Sequence, residues 1–380
     1  MKKTVYLHVG MWKCGSSSIQ KFCNDNQKNI LKQGAYYPMP IKSKRLGGLK
    51  MPYLHEIGNC LMSDDLWGAQ ELFSLATKTF PGKDIILSGE NFLNTKVVAN
   101  LSALFSDYLK QWDFKIIIYI RPLIEHVVSA WQQEVKYNDP SRKNIYFSGD
   151  IVAYANQTKD YVKLLDNIKA YESLFGQENL IIRPFEKEQF EGGNLIQDFS
   201  AVCKITNANA NANANANANS SVSRITLEKL KRVNQLLEKQ QVDWNTSMQL
   251  KNHIINIINK PGNTPIIYTL DENWIVQFNE YTNPIELYIA VNYLNKKSLF
   301  INNYPKDFEN KKILYSGLSQ RELDEIEELF TKIYKNYFLN DKSFKKCNRL
   351  QSIIIDIRCS LIRDKETRKA KRRALKLYMG

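Results

Sequence analysis

Near the start of the chain, a loop rich in glycine, serine and lysine lies between a predicted strand and a predicted helix. Apart from His8, residues 4–9 are apolar or β-branched, which is typical of a short buried strand. From about Ser16 the pattern becomes helical, with Ile19 and Phe22 on one face. A strand, a tight loop and a helix in this order direct backbone N–H groups and a helix N-terminus at one point. The stretch therefore predicts an anion-binding site, and a lysine in the loop adds positive charge to it.

The order of residues within the loop distinguishes it from a Walker A motif. That motif places its lysine directly after the second glycine, whereas Lys13 precedes Gly15 here and three serines follow. The order resembles the 5′-phosphosulfate loop of sulfotransferases that use 3′-phosphoadenosine 5′-phosphosulfate (PAPS). The resemblance implies that the donor's 5′-phosphosulfate is bound by Lys13, Cys14, Gly15, Ser16, Ser17 and Ser18. For this stretch alone, the alternative is a glycine- and serine-rich turn with a solvated lysine.

A second basic residue, Arg121, ends the strand predicted over residues 114–120, and Pro122 follows it. The isoleucines of this strand suit a parallel strand that is covered on both faces. Ser129 lies eight residues after Arg121, in a predicted helix. This Arg–Ser spacing resembles the 3′-phosphate motif of the same sulfotransferases. The resemblance implies that the planar fork of Arg121 and the hydroxyl of Ser129 hold the 3′-phosphate of PAPS. For Arg121 alone, the alternative is a surface ion pair.

The catalytic candidates are Lys13, Glu90 and His55. The resemblance gives Lys13 the role of neutralising charge that develops on the leaving phosphate oxygen. Glu90 follows the strand that begins at Asp84, and ligands of open α/β sheets bind beyond the carboxyl ends of strands. Several glycan sulfotransferases, which the chain resembles at this place, use a glutamate there as the base. His55 has the more suitable unperturbed pKa, near 6.5, but lies in a region predicted to be loop-rich, residues 40–60. We therefore expect Glu90 to be the base and keep His55 as the alternative.

The chain as a whole predicts an α/β fold, with a mostly parallel sheet flanked by helices. Strands are predicted to begin near Thr4, Asp84, Phe114 and Asn179, and helices over residues 65–78, 97–112, 161–175 and 225–237. Arg183, at the end of the fourth strand, is expected to pair with a carboxylate rather than to contact a ligand. Ser319 and Glu322 have the spacing of a helix capping box. The resemblance refines this class to a P-loop-like sulfotransferase fold.

The composition is that of a globular protein, with 43% hydrophobic and 24% charged residues. No apolar window is long enough for a transmembrane helix, and the apolar run after Lys3 stops at Gly10, which predicts no signal peptide. The six cysteines form no C-x-x-C pair, and the four histidines have no zinc spacing. These features predict a cytoplasmic protein with reduced thiols and no bound metal.

The net charge of +14 is uneven along the chain. Residues 342–380 hold 13 basic and 3 acidic residues, a net charge of +10. This concentration argues against nucleic acid as a partner of the main domain. It predicts a basic helical tail over residues 341–380, which either lies on an anionic membrane surface or is solvated. The remaining residues, 1–340, are predicted to form the sulfotransferase domain, with an Asn-Ala repeat at 207–219 inserted as a loop.

The function that the resemblance implies is transfer of a sulfuryl group from PAPS to an acceptor hydroxyl, without a metal. The acceptor is expected to be a bacterial surface glycan, in the capsule or in lipopolysaccharide, and the enzyme cytoplasmic or peripheral at the inner face of the membrane. Two alternatives stay open. One is a P-loop-type kinase, although the GK[ST] order is missing. The other is a non-catalytic nucleotide-binding interaction protein, to which the repeat and the basic tail point.

Overall fold

The computed structural model describes residues 2–42, 50–137, 146–158, 163–206, 222–258, 266–302 and 315–340. The Asn-Ala repeat at 207–219 and the basic tail at 341–380 lie outside the described residues. The interpretations of these two segments therefore stay predictions.

A parallel sheet of five strands forms the centre of the fold. The described strands are β1 (Lys3–Gly10), β2 (Ala35–Tyr36), β3 (Ile41–Lys42), β4 (Lys50–Met51), β5 (Asp84–Ser88), β6 (Trp112–Ile120) and β7 (Leu180–Pro184). The sheet has the order β2-β5-β1-β6-β7, and each neighbouring pair is parallel. The strands β3 and β4 form a separate antiparallel pair. The predicted α/β class with a parallel sheet is confirmed, and so are its four predicted strands. The fifth strand, β2, is a short edge strand.

The sheet is buried on both faces, as the apolar strand sequences require. Every residue from Ile116 to Ile120 of β6 is 0% exposed. In the centre of the sheet, Val5 of β1 is paired with Ile85 of β5 on one side and Phe114 of β6 on the other. Because all strands run in one direction, the segments that follow β5, β1 and β6 emerge side by side at the carboxyl edge.

The bounds of the helices confirm some predictions and correct others. The described helices are α1 (Ser16–Asp25), α2 (Gln27–Lys32), α3 (Tyr53–Met62), α4 (Leu66–Thr79), α5 (Thr95–Val98), α6 (Leu101–Phe105), α7 (Leu123–Tyr137), α8 (Ile151–Thr158), α9 (Leu164–Phe175), α10 (Leu195–Val202), α11 (Arg224–Lys239), α12 (Trp244–Ile258), α13 (Glu272–Leu294) and α14 (Gln320–Asn340). The predicted helices near 65–78, 161–175 and 225–237 correspond to α4, α9 and α11.

The single helix predicted over residues 97–112 is wrong. The segment contains two short helices, α5 and α6, and Trp112 already belongs to β6. Asn100 separates the helices, and its side-chain amide donates to the backbone carbonyl of Lys96. A side chain that hydrogen-bonds its own backbone competes with helix formation. Trp112 pairs with Lys3 of the central strand, so it belongs to the sheet and not to the predicted helix.

The prediction that residues 40–60 are rich in loops is also wrong in its second half, because α3 begins at Tyr53. Leu54, Ile57 and Leu61 are buried and lie on one face at helical spacing. Pro52 precedes the first helical residue, where its missing N–H costs nothing. His55 is therefore a helical residue in the first turn of α3.

Contacts within the chain group it into two compact units. The first consists of Met1–Glu134, Gly149–Arg224 and Lys260–Ser316, and it holds the sheet and every candidate site residue. The second consists of Val135–Ser148, Ile225–Asn259 and Gly317–Gly380. One domain over residues 1–340 stays a prediction, since two such units can belong to one domain. In the part of the chain that is described, no helix has the length and apolar composition needed to cross a membrane.

The second unit has its own apolar core, contributed mainly by α11, α12 and α14. Its buried members include Val233, Leu237, Leu250, Ile254, Ile326 and Phe330. The capping box predicted at the start of α14 is confirmed. The backbone N–H of Ser319 donates to the Glu322 carboxylate at 2.9 Å, and the N–H of Glu322 donates to the Ser319 hydroxyl at 3.3 Å.

Candidate functional site

The loop between β1 and α1 has the tight backbone that its composition predicts. Lys13 and Gly15 both have left-handed backbone conformations, with φ of 65° and 77°. A Cβ atom on Gly15 would lie 2.3 Å from a methyl group of Leu195 and 3.2 Å from the ring of Phe185. Only glycine fits this position, because both its φ and its close neighbours exclude a side chain. The backbone of the loop is further tied to the sheet where the N–H of Met11 donates to the carbonyl of Tyr119.

The side chains of the loop divide into buried and exposed ones. Ser17 and Ser18 are exposed at the start of α1, whereas Ser16 is only 2% exposed. Within the described chain, the Ser16 hydroxyl has no hydrogen-bond partner. A buried donor beside the N-terminus of α1 is suited to an anion, since an unpaired buried hydroxyl is otherwise costly.

Cys14 has a different environment from the serines. Its thiol is completely buried, and burial raises the pKa of Cys14 to about 12 although the charge of Arg121 opposes the rise. Its backbone N–H donates to the carbonyl of Met11. In the described geometry Cys14 therefore packs beneath the loop and offers neither a thiolate nor a free backbone donor.

Arg121 meets the loop although the two are far apart in the sequence. One of its terminal nitrogens, Nη1, is 3.4 Å from the carbonyl oxygen of Lys13, and its Nε donates to the Glu125 carboxylate at 2.9 Å. The guanidinium carbon also lies 5.9 Å from the centre of the Phe185 ring. Arg121 thus forms an ion pair, as its alternative interpretation proposed, and also contacts the lysine loop. Ser129 is half-buried one helical turn beyond Glu125, on the same face of α7.

The two candidate bases, Glu90 and His55, lie together. Glu90 begins a 3₁₀ turn directly after β5, and its carbonyl oxygen would be 3.3 Å from a Cβ atom on Gly10 at the end of β1. A Cβ on Gly89 would lie 2.9 Å from the backbone nitrogen of His55, so this segment packs tightly on the first turn of α3. The Asn91 amide donates to the His55 carbonyl at 2.8 Å. Burial lowers the pKa of His55, while the carboxylate of Glu90 opposes the change.

No protein-family model matches this chain, and no curated protein matches it either.

His126 is a site neighbour that the sequence interpretation missed. It lies in α7, is 2% exposed, and its ring is edge-on to Trp12 of the loop with centroids 5.1 Å apart. Burial, together with the positive charges of Arg121 and Lys13, lowers the pKa of His126 to about 3. Its Nδ1 atom has no hydrogen-bond partner among the residues described. The only available signal was a histidine within the apolar face of a helix that follows an Arg-Pro strand end.

The prediction that Arg183 pairs with a carboxylate is confirmed. Its guanidinium forms a two-point ion pair with Asp198, which is 0% exposed. The Tyr119 hydroxyl donates to the same carboxylate at 2.7 Å, and the backbone N–H of Glu191 donates to it at 2.8 Å. The Asp198 carboxylate of α10 therefore links α10 to β7 through Arg183 and to β6 through Tyr119.

The arrangement combines an anion loop that contains a lysine with a carboxylate and an imidazole that interact. The loop of Lys13 follows β1, Arg121 follows the neighbouring β6, and Glu90 follows β5 on the other side. His55 comes from the first turn of α3. Within the described ranges, no group of three or more metal-ligating side chains is arranged to hold a metal ion. Such a site can bind an anionic group and remove a proton from a hydroxyl beside it.

Proposed function

We propose that the protein transfers a sulfuryl group from PAPS to a hydroxyl group of an acceptor, with a bacterial surface glycan as the expected acceptor. The observation that carries the proposal is the contact between Arg121 and the carbonyl of Lys13, across 108 residues of sequence. The loop around Lys13 resembles a 5′-phosphosulfate motif. Arg121 and Ser129 resemble a 3′-phosphate motif. One donor molecule carries both groups, so the two motifs have to meet if they bind it.

The residues present fit such a donor. The Ser16 hydroxyl is buried without a partner beside the N-terminus of α1, and Ser17 and Ser18 are exposed there. Arginine has five N–H donors, and its hydrogen bonds to Glu125 and Lys13 leave others for phosphate oxygens. Arg121 and Ser129 would hold the 3′-phosphate, and the loop would hold the 5′-phosphosulfate.

When bound, PAPS would supply an activated sulfuryl group with a phosphate as its leaving group. Lys13 and the N-terminus of α1 would present fixed positive charge to the phosphate oxygen, where negative charge increases during transfer. The contact of Arg121 with the carbonyl of Lys13 ties the backbone of the loop to the end of β6.

Glu90 and His55 would take the proton from the acceptor hydroxyl. The Glu90 carboxylate opposes the lowering of the His55 pKa that burial causes, so a change at Glu90 also affects His55. Burial keeps His55 neutral near pH 7 and therefore able to accept a proton.

Calorimetric titration with 3′-phosphoadenosine 5′-phosphate (PAP), the product form of the donor, tests the proposal. We expect binding in the micromolar range, with ATP much weaker, and transfer of labelled sulfate from PAPS to a bacterial glycan extract. Tighter binding of ATP than of PAP would favour the kinase alternative. Binding of PAP without transfer to any extract would favour the non-catalytic alternative.

A further inference from the structure

A cavity of about 580 Å³ lies within the first unit, between α13, residues 297–302 and the start of α7. This volume is in the range of small-molecule binding sites. None of the residues assigned above to donor binding or catalysis lines the cavity.

The cavity begins directly after the arginine that approaches the loop of Lys13. Arg121 lies 3.4 Å from the carbonyl of Lys13 and 5.9 Å from the ring centre of Phe185. Pro122, the next residue, lines the cavity together with α13.

Helix α9 connects the helix that lines the cavity to the turn that Glu90 begins. In α13, the Tyr293 hydroxyl donates to Glu172 of α9 at 2.5 Å. In the same helix α9, the Tyr171 hydroxyl donates to the carbonyl of Phe92 at 2.8 Å.

Two acidic side chains hold the walls of the cavity in place. Glu186, buried after β7, accepts the backbone N–H groups of Ile301 and Asn302 at 2.8 and 2.9 Å. Glu286 of α13 accepts the backbone N–H of Leu123, the first residue of α7, at 2.8 Å. The cavity is therefore formed by segments that are fixed to the carboxyl edge of the sheet.

The lining combines uncharged polar groups with apolar ones. Asn279, Asn283 and Ser298 contribute amides and a hydroxyl, while Pro284 and Leu287 contribute exposed apolar surface. Side-chain amides both donate and accept hydrogen bonds, which matches ligand hydroxyls that do the same. Apolar surface suits the C–H faces of a sugar ring.

The described lining residues carry no excess of positive charge. Among them are two carboxylates, Glu280 and Glu286, and the ammonium group of Lys297. Burial raises the pKa of Glu286 to about 7, because a desolvated carboxylate is less stable in its charged form. These residues therefore offer an anionic ligand no cationic cluster, in contrast to the loop of Lys13.

We infer that this cavity is a binding site for an uncharged, hydroxyl-rich ligand, a neutral carbohydrate of about disaccharide size. Its assignment as the acceptor site rests on the proposed sulfotransferase function, whereas the binding itself does not. Substitution of Asn283, which is exposed at the cavity, removes an amide from the lining. Asn292 is a matched control, because it is exposed on the same helix and lies outside the lining.

Ligand-observed NMR and calorimetry with lactose, maltose, cellobiose and N,N′-diacetylchitobiose, without donor, test the inference. We expect at least one of them to bind, and Asn283→Leu to weaken that binding about tenfold while Asn292→Leu leaves it unchanged. A disaccharide containing glucuronic acid should bind at least about tenfold more weakly than its neutral counterpart.

Three results would overturn the inference: no binding of any neutral disaccharide, equal effects of the two asparagine variants, or tighter binding of the acidic disaccharide. Titration of the same sample with PAP separates this inference from the proposed function. Intact PAP binding without sugar binding contradicts the cavity assignment alone. Sugar binding without PAP binding contradicts the sulfotransferase proposal alone.

Discussion

His55, in the first turn of α3, interacts with Glu90, the first residue of the turn after β5. Burial lowers the pKa of His55, and the Glu90 carboxylate opposes that change. From the sequence, these residues were alternative candidates for the catalytic base. Their proximity makes them candidates for a single proton-accepting pair.

If the pair acts as a unit, Glu90→Gln and His55→Ala should each lower kcat by about 10² or more. The double variant should be no slower than the slower single variant, because residues that act together are not additive. Glu71→Gln, at an exposed position of α4, is the control and should keep normal kcat. Steady-state kinetics under saturating PAPS measures kcat for these four variants and for the unsubstituted protein. A near-normal kcat of Glu90→Gln beside a slow His55→Ala would assign the base to His55 alone.

Lys13→Ala should abolish sulfuryl transfer without unfolding the protein. The residue is half-buried in a loop and has a φ of 65°, which alanine and lysine tolerate about equally, so the substitution adds no backbone strain. Lys21→Ala is the matched control, because Lys21 forms an exposed ion pair with Asp25 on α1. Transfer rates and thermal unfolding are measured together. Normal transfer by Lys13→Ala would remove Lys13 from catalysis.

Arg121→Ala should weaken PAP binding by about 30- to 150-fold, which corresponds to about 2–3 kcal/mol for the loss of charge-assisted hydrogen bonds. Arg232→Ala controls for the loss of one arginine, since Arg232 pairs with Glu327 in the second unit. Calorimetry gives both affinities. Unchanged PAP affinity of Arg121→Ala would exclude Arg121 from the donor site.

Asp198→Ala should lower the free energy of unfolding by about 3–5 kcal/mol, because it leaves a partly buried Arg183 and the Tyr119 hydroxyl without their partner. Asp25→Ala removes a carboxylate from an exposed ion pair and should cost less than about 1 kcal/mol. Urea unfolding of both variants measures the difference. Equal losses in the two variants would show that the Arg183–Asp198 pair does not stabilise the fold.

Glu286 should make the protein less stable as the pH rises from about 4.5 to about 7. Burial raises the pKa of Glu286 to about 7 in the folded protein, so the folded state binds more protons than the unfolded state over this interval. Stability is therefore highest when Glu286 is protonated, and ionisation costs up to about 3 kcal/mol. Glu286→Gln should reduce this loss, which thermal unfolding from pH 4.5 to 7.5 measures against the unsubstituted protein. An identical pH dependence in both would contradict the shifted pKa.

The amino-acid sequence by itself determined the features that depend on neighbouring residues. The glycines and serines around Lys13 specify a strand, a loop and a helix, because backbone conformation and apolar periodicity are local properties. The isoleucines of β6 specify a buried strand, and the spacing of Ser319 and Glu322 specifies a helix start. These predictions are confirmed because few long-range contacts can override them.

Only the tertiary structure decided which of these segments meet. The strand order places the turn of Glu90 on one side of the Lys13 loop and Arg121 on the other, and no local pattern encodes strand order. Local patterns also failed where long-range contacts dominate, as at Trp112, which pairs with the central strand instead of extending a helix. The electrostatic interaction of His55 with Glu90, the approach of Arg121 to the carbonyl of Lys13 and the cavity beside α13 all arise from packing between segments remote in sequence, so burial in the whole fold decides them.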